Sequence, residues 1–452
     1  MTLRSKHVLV CVLAVSACMP AGSQDAPAPT PQALAATWDA ERVQQPLPPL
    51  LRHADLAPRL AQVQEATPDL FSIEEIGRSV EGRSISRLWF GTGPFHVLLW
   101  SQMHGDEPTA TAALLDVFEY VRRHRREPVV QRMLSSLTVH MVPMLNPDGA
   151  ERYQRRNAQS IDINRDALML QTPEGRALKA LRDRLNPRIG FNLHNQSWRT
   201  SVGETGKPAS ISLLSVAYDE ARSENEGRIL TKKTAALVRD VVEQFAPGQV
   251  AKYDDTFNPR AFGDNITKWG TPVVLIETGA WPGPEPDRHL VRLNFIAIVT
   301  ALDALASGRV HQADKRRYDD LPMNGSSVLY QVVRRATVVN GAGVPPYTAD
   351  IGIVGQRIVR TANGERKLLM QTRIEEFGDL STFGAMEAID AAGLTVAPLL
   401  DEKVRTGDTI ALPADWSKPG PIVATSQPAN MMLLRPDGNR YRVERVFVNE
   451  AR

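Results

Sequence analysis

A histidine and a glutamate stand three residues apart in Met103-His104-Gly105-Asp106-Glu107-Pro108. An apolar run, Phe95 to Trp100, leads into this stretch, and a helical pattern from Ala110 to Val121 leads out of it. The stretch therefore falls at a strand-to-helix turn, where open α/β sheets place their ligands. An imidazole and a carboxylate at such a turn can share one metal ion. A catalytic zinc takes three protein ligands and keeps a further position for water. The third ligand is expected at another strand end. His194 meets that condition, because it follows the largely apolar run Ile189 to Leu193. Taken alone, a histidine after a strand is simply a hydrogen-bonded polar residue. The other histidines have weaker claims: His96 and His140 lie inside strand runs, His124 follows a helix, and His289 opens one.

A second group is Ser160-Ile161-Asp162-Ile163-Asn164-Arg165-Asp166, preceded by Gln154-Arg155-Arg156-Asn157. Its plain reading is a polar loop after the turn Asn146-Pro147-Asp148-Gly149. Adjacent Asn164 and Arg165 also suit a carboxylate, since a guanidinium binds one bidentately and an amide adds a donor. Asp162 could accept the second ring N–H of a metal-bound histidine and fix its orientation. Arg155 could face charge developing on a carbonyl oxygen. A third candidate is Glu277, closing the all-apolar run Val273-Val274-Leu275-Ile276. A carboxylate there is exposed at the strand end, or it is buried at a cost that a function would justify.

The elements that must position these residues alternate. Strands are expected at 95–100, 137–144, 188–193, 211–217 and 272–277, and helices at 109–125, 173–185, 226–245 and 288–306. Such alternation predicts a mixed α/β sheet, of about eight strands, with helices on both faces. Upstream, Leu51 to Val63 reads as a helix that Pro58 would break, and Ile73 to Leu88 as strands around the turn Glu81-Gly82. Residues 309–321 read as a charged, solvated connector. Residues 322–452 are rich in Val, Thr, Gly and Pro, and predict an all-β, sandwich-like domain.

The chain has 452 residues, 42% hydrophobic and 23% charged, which allows a large core and two or three domains. Its formal charge of +2 equals the contribution of Arg4 and Lys6, which lie in a segment expected to be removed. A formally neutral remainder offers no footprint for nucleic acid. Residues 1–18 read as a secretory signal: a basic start, then a mostly apolar run too short to span a bilayer. It ends Val15-Ser16-Ala17-Cys18, which resembles the bacterial lipobox, whose cysteine becomes the lipidated first residue. The alternative is an ordinary signal cleaved near Ala21. Both cysteines lie in this segment, so no internal disulfide is expected. Residues 19–49, rich in Ala, Pro and Gln, read as an extended linker, with the catalytic unit expected at 50–308.

In order, the motifs are His-x-x-Glu, Asn-Pro-Asp-Gly, Arg155, Asp-x-Asn-Arg, His194 and Glu277-Thr278-Gly279. Together they resemble the zinc carboxypeptidases of the carboxypeptidase A type. The resemblance covers roughly residues 50–306 and includes Ile76-Gly77-Arg78-Ser79-Val80-Glu81-Gly82-Arg83, a stretch common early in that family. It implies an exported enzyme with one zinc, held by His104, Glu107 and His194, a ligand set taken from the family. It further implies Glu277 as general base and Arg155 as the oxyanion arginine, chosen over Arg156 on the Arg-x-Asn spacing. Asn164 and Arg165 would hold the substrate's terminal carboxylate, and Asp162 would be the acidic partner of a zinc histidine. The implied substrate is a peptide with a free C-terminal carboxylate, and the implied location is the cell envelope, through a lipid on Cys18.

Two departures stand out. Animal digestive members have His-Ser-Arg-Glu where this chain has His-Gly-Asp-Glu, so subsite preferences should differ at Asp106. They also place a tyrosine some twenty residues before the base. Tyr253 could serve, although Asp254, Asp255, Arg260 and Asp264 share its loop. Rival functions are an N-acyl-amino-acid amidohydrolase resembling aspartoacylase, a murein-peptide hydrolase, and a binding protein that kept the scaffold without catalysis.

Overall fold

The computed structural model describes residues 27–42, 50–341, 343–413, 415–416 and 423–451. The expected signal segment and Cys18 lie outside the described residues. The strands of the α/β region are β1 (Phe71–Arg78), β2 (Ser84–Phe90), β3 (Phe95–Ser101), β4 (Leu137–Val142), β5 (Ile189–Asn195), the short β6 (Ser201–Val202), β7 (Ile211–Ser215), β8 (Val250–Lys252) and β9 (Val273–Thr278). Its helices are α1 (Pro31–Arg42), α2 (His53–Ala66), α3 (Thr109–Arg123), α4 (Pro128–Ser136), α5 (Pro147–Arg152), α6 (Pro173–Leu185), α7 (Glu226–Val242), α8 (Phe262–Lys268), α9 (Pro286–Ala306) and α10 (Arg316–Asp319).

Eight strands form one mixed sheet in the order β1-β2-β4-β3-β5-β9-β7-β8. The inner four, β4, β3, β5 and β9, are parallel neighbours. Along β3, Val97 and Leu99 pack into one apolar layer with α3, α7 and α9, while Leu98 and Trp100 pack into the opposite layer with α6 and α8. Burial on both faces explains the unbroken apolar runs in the sequence. Side chains cap the connecting helices: Asn146 accepts from the Gly149 N–H at α5, and Asn225 from the Arg228 N–H at α7.

Several elements differ from their sequence expectations. Within the expected linker 19–49, residues 31–42 form α1, burying Leu34, Ala35 and Trp38. The Trp38 indole N–H donates to Asp116 on α3 at 2.9 Å. Helix α2 runs through Pro58 rather than breaking there. The charged connector 309–321 is not simply solvated: Tyr318 is buried, and its hydroxyl accepts from the Ser215 N–H at 2.9 Å.

The C-terminal region is mostly β: β10 (Asn324–Gly325), β11 (Val328–Val338), β12 (Tyr347–Ala362), β13 (Glu365–Gly378), β14 (Gly384–Asp390), β15 (Thr395–Pro398), β16 (Thr409–Ile410), β17 (Met431–Asp437), β18 (Arg440–Phe447) and β19 (Glu450–Ala451). All but β10 join in a single nine-stranded sheet, which gives the expected all-β region at the C-terminus. It gathers Val333, Ile351, Ile374, Val396 and Leu433 into its main core. β10 instead pairs with β6, which stitches the two regions together beside the end of β5.

Candidate metal centre and active site

The residues picked out by chemistry come together at the C-terminal ends of adjacent parallel strands. His104 and Glu107 lie in the turn after β3, His194 near the end of β5, and Glu277 near the end of β9. His194 and Glu277 are direct cross-strand partners. The turn after β3 starts at Gln102, which holds a left-handed backbone (φ 50). A conformation of this kind costs about 1–3 kcal/mol and persists where the surroundings enforce it. Here the buried Gln102 amide donates to the Gly105 carbonyl at 3.0 Å and accepts from the Thr111 hydroxyl at 3.0 Å.

His104, Glu107 and His194 are all buried, and their ligand atoms lie within 4.8 Å of one another. Both Nδ1 atoms face the Glu107 carboxylate, at 2.8 Å from His104 and 2.7 Å from His194. Nε2 of His104 lies 3.0 Å from Asp162. A carboxylate only accepts, so His104 donates there and turns Nδ1 toward the cluster. Burial lowers the His104 pKa, but Glu107 and Asp162 outweigh it and carry it up to about 9. Burial holds His194 below its ordinary value, in the neutral form that binds metals. Burial would raise Glu107, yet the two imidazoles hold it below the usual carboxylate range. This donor set favours positive charge at its centre, and two imidazole nitrogens with one carboxylate suit zinc.

Around the cluster, Arg155 donates from Nε to Asp162 at 3.0 Å, and its Nη1 lies 3.1 Å from Nδ1 of His104. Its neighbour Arg156 bonds instead to the Ser160 carbonyl on the surface. Asp162 also accepts from the Asn164 N–H at 2.9 Å, so one carboxylate orients a ligand, an arginine and the Asn164–Arg165 turn. The Asn164 side-chain oxygen accepts from the Phe262 N–H, which fixes that amide against α8. Glu277 is buried, and its Oε2 has no hydrogen-bond partner among the described residues. Burial, and then the charge of Glu107, push the Glu277 carboxyl upward. Tyr253 is half-buried, and burial, then the charge of Glu277, push its hydroxyl pKa upward. Of the other residues in that loop, Asp255 is engaged by Arg222 and Arg228, Asp254 caps its own turn, and Arg260 is exposed. Asp264 is half-buried, and the desolvation pushes it up to about 6 against the pull of Arg165.

The sequence profile of the family described as zinc carboxypeptidase matches residues 58–245. Over those residues the chain is similar to the zinc carboxypeptidases. It is 31% identical over 134 residues to carboxypeptidase E of Caenorhabditis elegans, a match covering 25% of this chain and 28% of that one. It is 32% identical over 143 residues to the catalytic chain of human carboxypeptidase N, covering 27% and 31%. The chain thus spans less than a third of the length of these curated relatives. Among solved structures, a metallo-carboxypeptidase from Burkholderia cenocepacia aligns with TM-score 0.45 at 20% identity, over 56% of this chain and 69% of that one. One from Pseudomonas aeruginosa aligns with TM-score 0.43 at 19% identity, over 55% and 69%. The His-x-x-Glu and distant His pattern typical of the zinc carboxypeptidase family is present as His104, Glu107 and His194.

Two family-like stretches without an obvious chemical role prove to be braces. The Ser79 hydroxyl, the Glu81 N–H and the Arg83 guanidinium all donate to Asp148, at 2.7, 3.0 and 2.7 Å, and Asp148 is fully buried. Gly105, inside the ligand motif, rests on Gly149, where a Cβ would come within 2.0 Å of backbone. Sequence reasoning missed Tyr153, Trp198 and Arg357, which line the cleft. Trp198 stood close behind the third ligand and was findable. Arg357 lies in the C-terminal sheet, and no sequence signal ties it to the site.

Proposed function

We propose that this chain is a zinc-dependent metallocarboxypeptidase that hydrolyses the C-terminal peptide bond of peptides. The observation that carries the reading is the buried His104, Glu107 and His194 cluster with Glu277 directly across from His194 and Arg155 beside it. A bound zinc supplies Lewis acidity and a water of lowered pKa. The chain's own residues supply the rest. Glu277 has a buried oxygen without a hydrogen-bond partner among the described residues, across from His194, so it can accept a proton at the cluster. It takes the proton of the attacking water and passes it to the leaving amine. The half-exposed Arg155 guanidinium faces the oxygen on which charge develops. Asn164 and Arg165 grip the terminal carboxylate, so binding sets which bond lies at the cluster. Export and lipidation at Cys18 belong to the same proposal and rest on the apolar, basic-headed start of the chain.

The experiment is metal analysis together with release of the C-terminal residue from blocked peptides, with N-acyl amino acids assayed alongside. One zinc per chain and peptide cleavage are expected. In Glu277→Gln, zinc remains and turnover falls by about 10²–10⁴-fold, the usual contribution of a general base. Unchanged turnover in that variant removes Glu277 from the role, and cleavage of acyl amino acids alone overturns the peptidase reading.

A further inference from the structure

The C-terminal sheet reaches into the cleft. Strands β12 and β13 pair along nearly their whole length and form one long hairpin. It is fastened to the α/β region at three separate places. Near its base, Glu375 pairs with Arg199 in the loop after β5. At mid-length, the Arg357 guanidinium pairs with Asp287 at the start of α9, bonds the Tyr153 hydroxyl, and lies 4.7 Å over the Trp198 ring. Near its tip, Arg366 donates to the backbone carbonyl of Glu151 in α5. The hairpin therefore bridges the loop that follows His194, the start of the helix that follows Glu277, and the helix that Asn146-Pro147-Asp148-Gly149 opens.

Beneath it lies a cleft of about 650 Å³. Glu107 and Arg155 belong to its lining, as do Gln356, Gln371 and Arg373 of the hairpin. Asn164, Arg165 and Tyr253 do not. The roofed space thus reaches Glu107 and Arg155 of the site, whereas the Asn164–Arg165 pair lies outside its lining. That volume suits a compact ligand, since small-ligand sites span about 300–1,000 Å³. Side-chain amides from Gln356 and Gln371 above and Asn195 below offer donors and acceptors to peptide groups.

We propose that the β12–β13 hairpin closes the amino-terminal arm of the substrate cleft, so that the enzyme selects short peptides with few residues ahead of the scissile bond. This rests on the carboxypeptidase reading above. Exclusion is steric: a longer chain must displace a hairpin held by three charged contacts. Arg357 is a positioning residue that holds the roof.

The test is kcat/KM for a dipeptide, tripeptide, pentapeptide and decapeptide that share their last two residues. In the wild-type protein the value falls by roughly tenfold or more between tripeptide and decapeptide. In the Arg357→Ala, Arg366→Ala double variant the decapeptide recovers relative to the tripeptide, whereas a merely structural defect lowers both alike. If that variant does not fold, the wild-type profile decides alone. A second readout is amide hydrogen exchange in zinc-loaded Glu277→Gln protein, where added tripeptide slows exchange in 354–357 and 370–373. A flat length profile, or no such protection, overturns the closed arm and leaves the carboxypeptidase reading standing. Zinc-loaded protein that cleaves no peptide of any length overturns both.

Discussion

Replacing Asp162 tests how the site is held. Its Oδ1 accepts from His104 at 3.0 Å and from the Asn164 N–H at 2.9 Å, while Oδ2 accepts from Arg155 Nε at 3.0 Å. Asparagine has nearly the same shape but only one acceptor oxygen. Turned toward His104 and Asn164, that oxygen preserves their bonds, and the new amide N–H then confronts the Arg155 N–H at hydrogen-bond distance. Asp162→Asn should therefore hold the zinc ligand in place and release Arg155. Asp162→Ala releases both. Outer partners of metal ligands are worth about 10–100-fold in metal affinity. The asparagine variant belongs at the lower end, because it loses charge but keeps a bond to His104. The alanine variant belongs at the upper end, a loss of about 2.7 kcal/mol. At saturating zinc both variants should still show reduced kcat/KM if Arg155 has the oxyanion role proposed for it, because its bond to residue 162 is lost. Competition against a chelator gives the affinities, and peptide turnover at saturating metal gives the rest. The reasoning fails if Asp162→Ala binds zinc as tightly as the wild type, or if Asp162→Asn loses metal without losing turnover once zinc is restored.

Two further perturbations address the scaffold. Gly105→Ala would place a Cβ 2.0 Å from the Gly149 backbone, which cannot swing aside as a side chain can. A cost of about 1–3 kcal/mol and weakened zinc retention should follow, read by thermal unfolding and metal content; a variant unchanged in both would show that this contact is not limiting. Asp116 gives a pH signature: burial carries its carboxyl up to about 6, although Arg42 and the Trp38 indole N–H pull it down. The folded chain thus binds this proton more tightly than the unfolded one, whose value is near 3.8. Stability from this group is full below the unfolded value and declines as pH rises through the folded one. The decline is about 3 kcal/mol. Urea unfolding of wild type and Asp116→Asn should diverge by that amount between pH 4 and 7, and parallel curves would refute the assignment.

The metal cluster was legible in the sequence for a physical reason. Strands buried on both faces must be apolar, so a polar residue at the end of such a run stands out, as His194 and Glu277 do. His104 and Glu107 stood out because the strand-to-helix turn fixed their place. Helix α1 was not legible, because its buried positions, Leu34, Ala35 and Trp38, sit among Ala and Pro that read as linker. The single nine-stranded sheet was not legible either, since short β runs reveal alternation but not which strands pair.

The roof over the cleft was hidden most deeply. A hairpin's sequence records its own pairing, and its docking partner is recorded only in the complementary surface. That complement lies in Trp198, Asp287 and Tyr153, on three segments distant from Arg357 in sequence. Each is unremarkable alone, and together they form a cradle for one guanidinium. The braces obey the same logic. Ser79 and Arg83 seemed a family signature without a task until Asp148 joined them. Through α5, that brace supports Gly105 and so the ligand turn from below. Arg366 reaches α5 from above. The helix opened by Asn146-Pro147-Asp148-Gly149 thus touches both the turn that carries His104 and Glu107 and the hairpin of the C-terminal sheet.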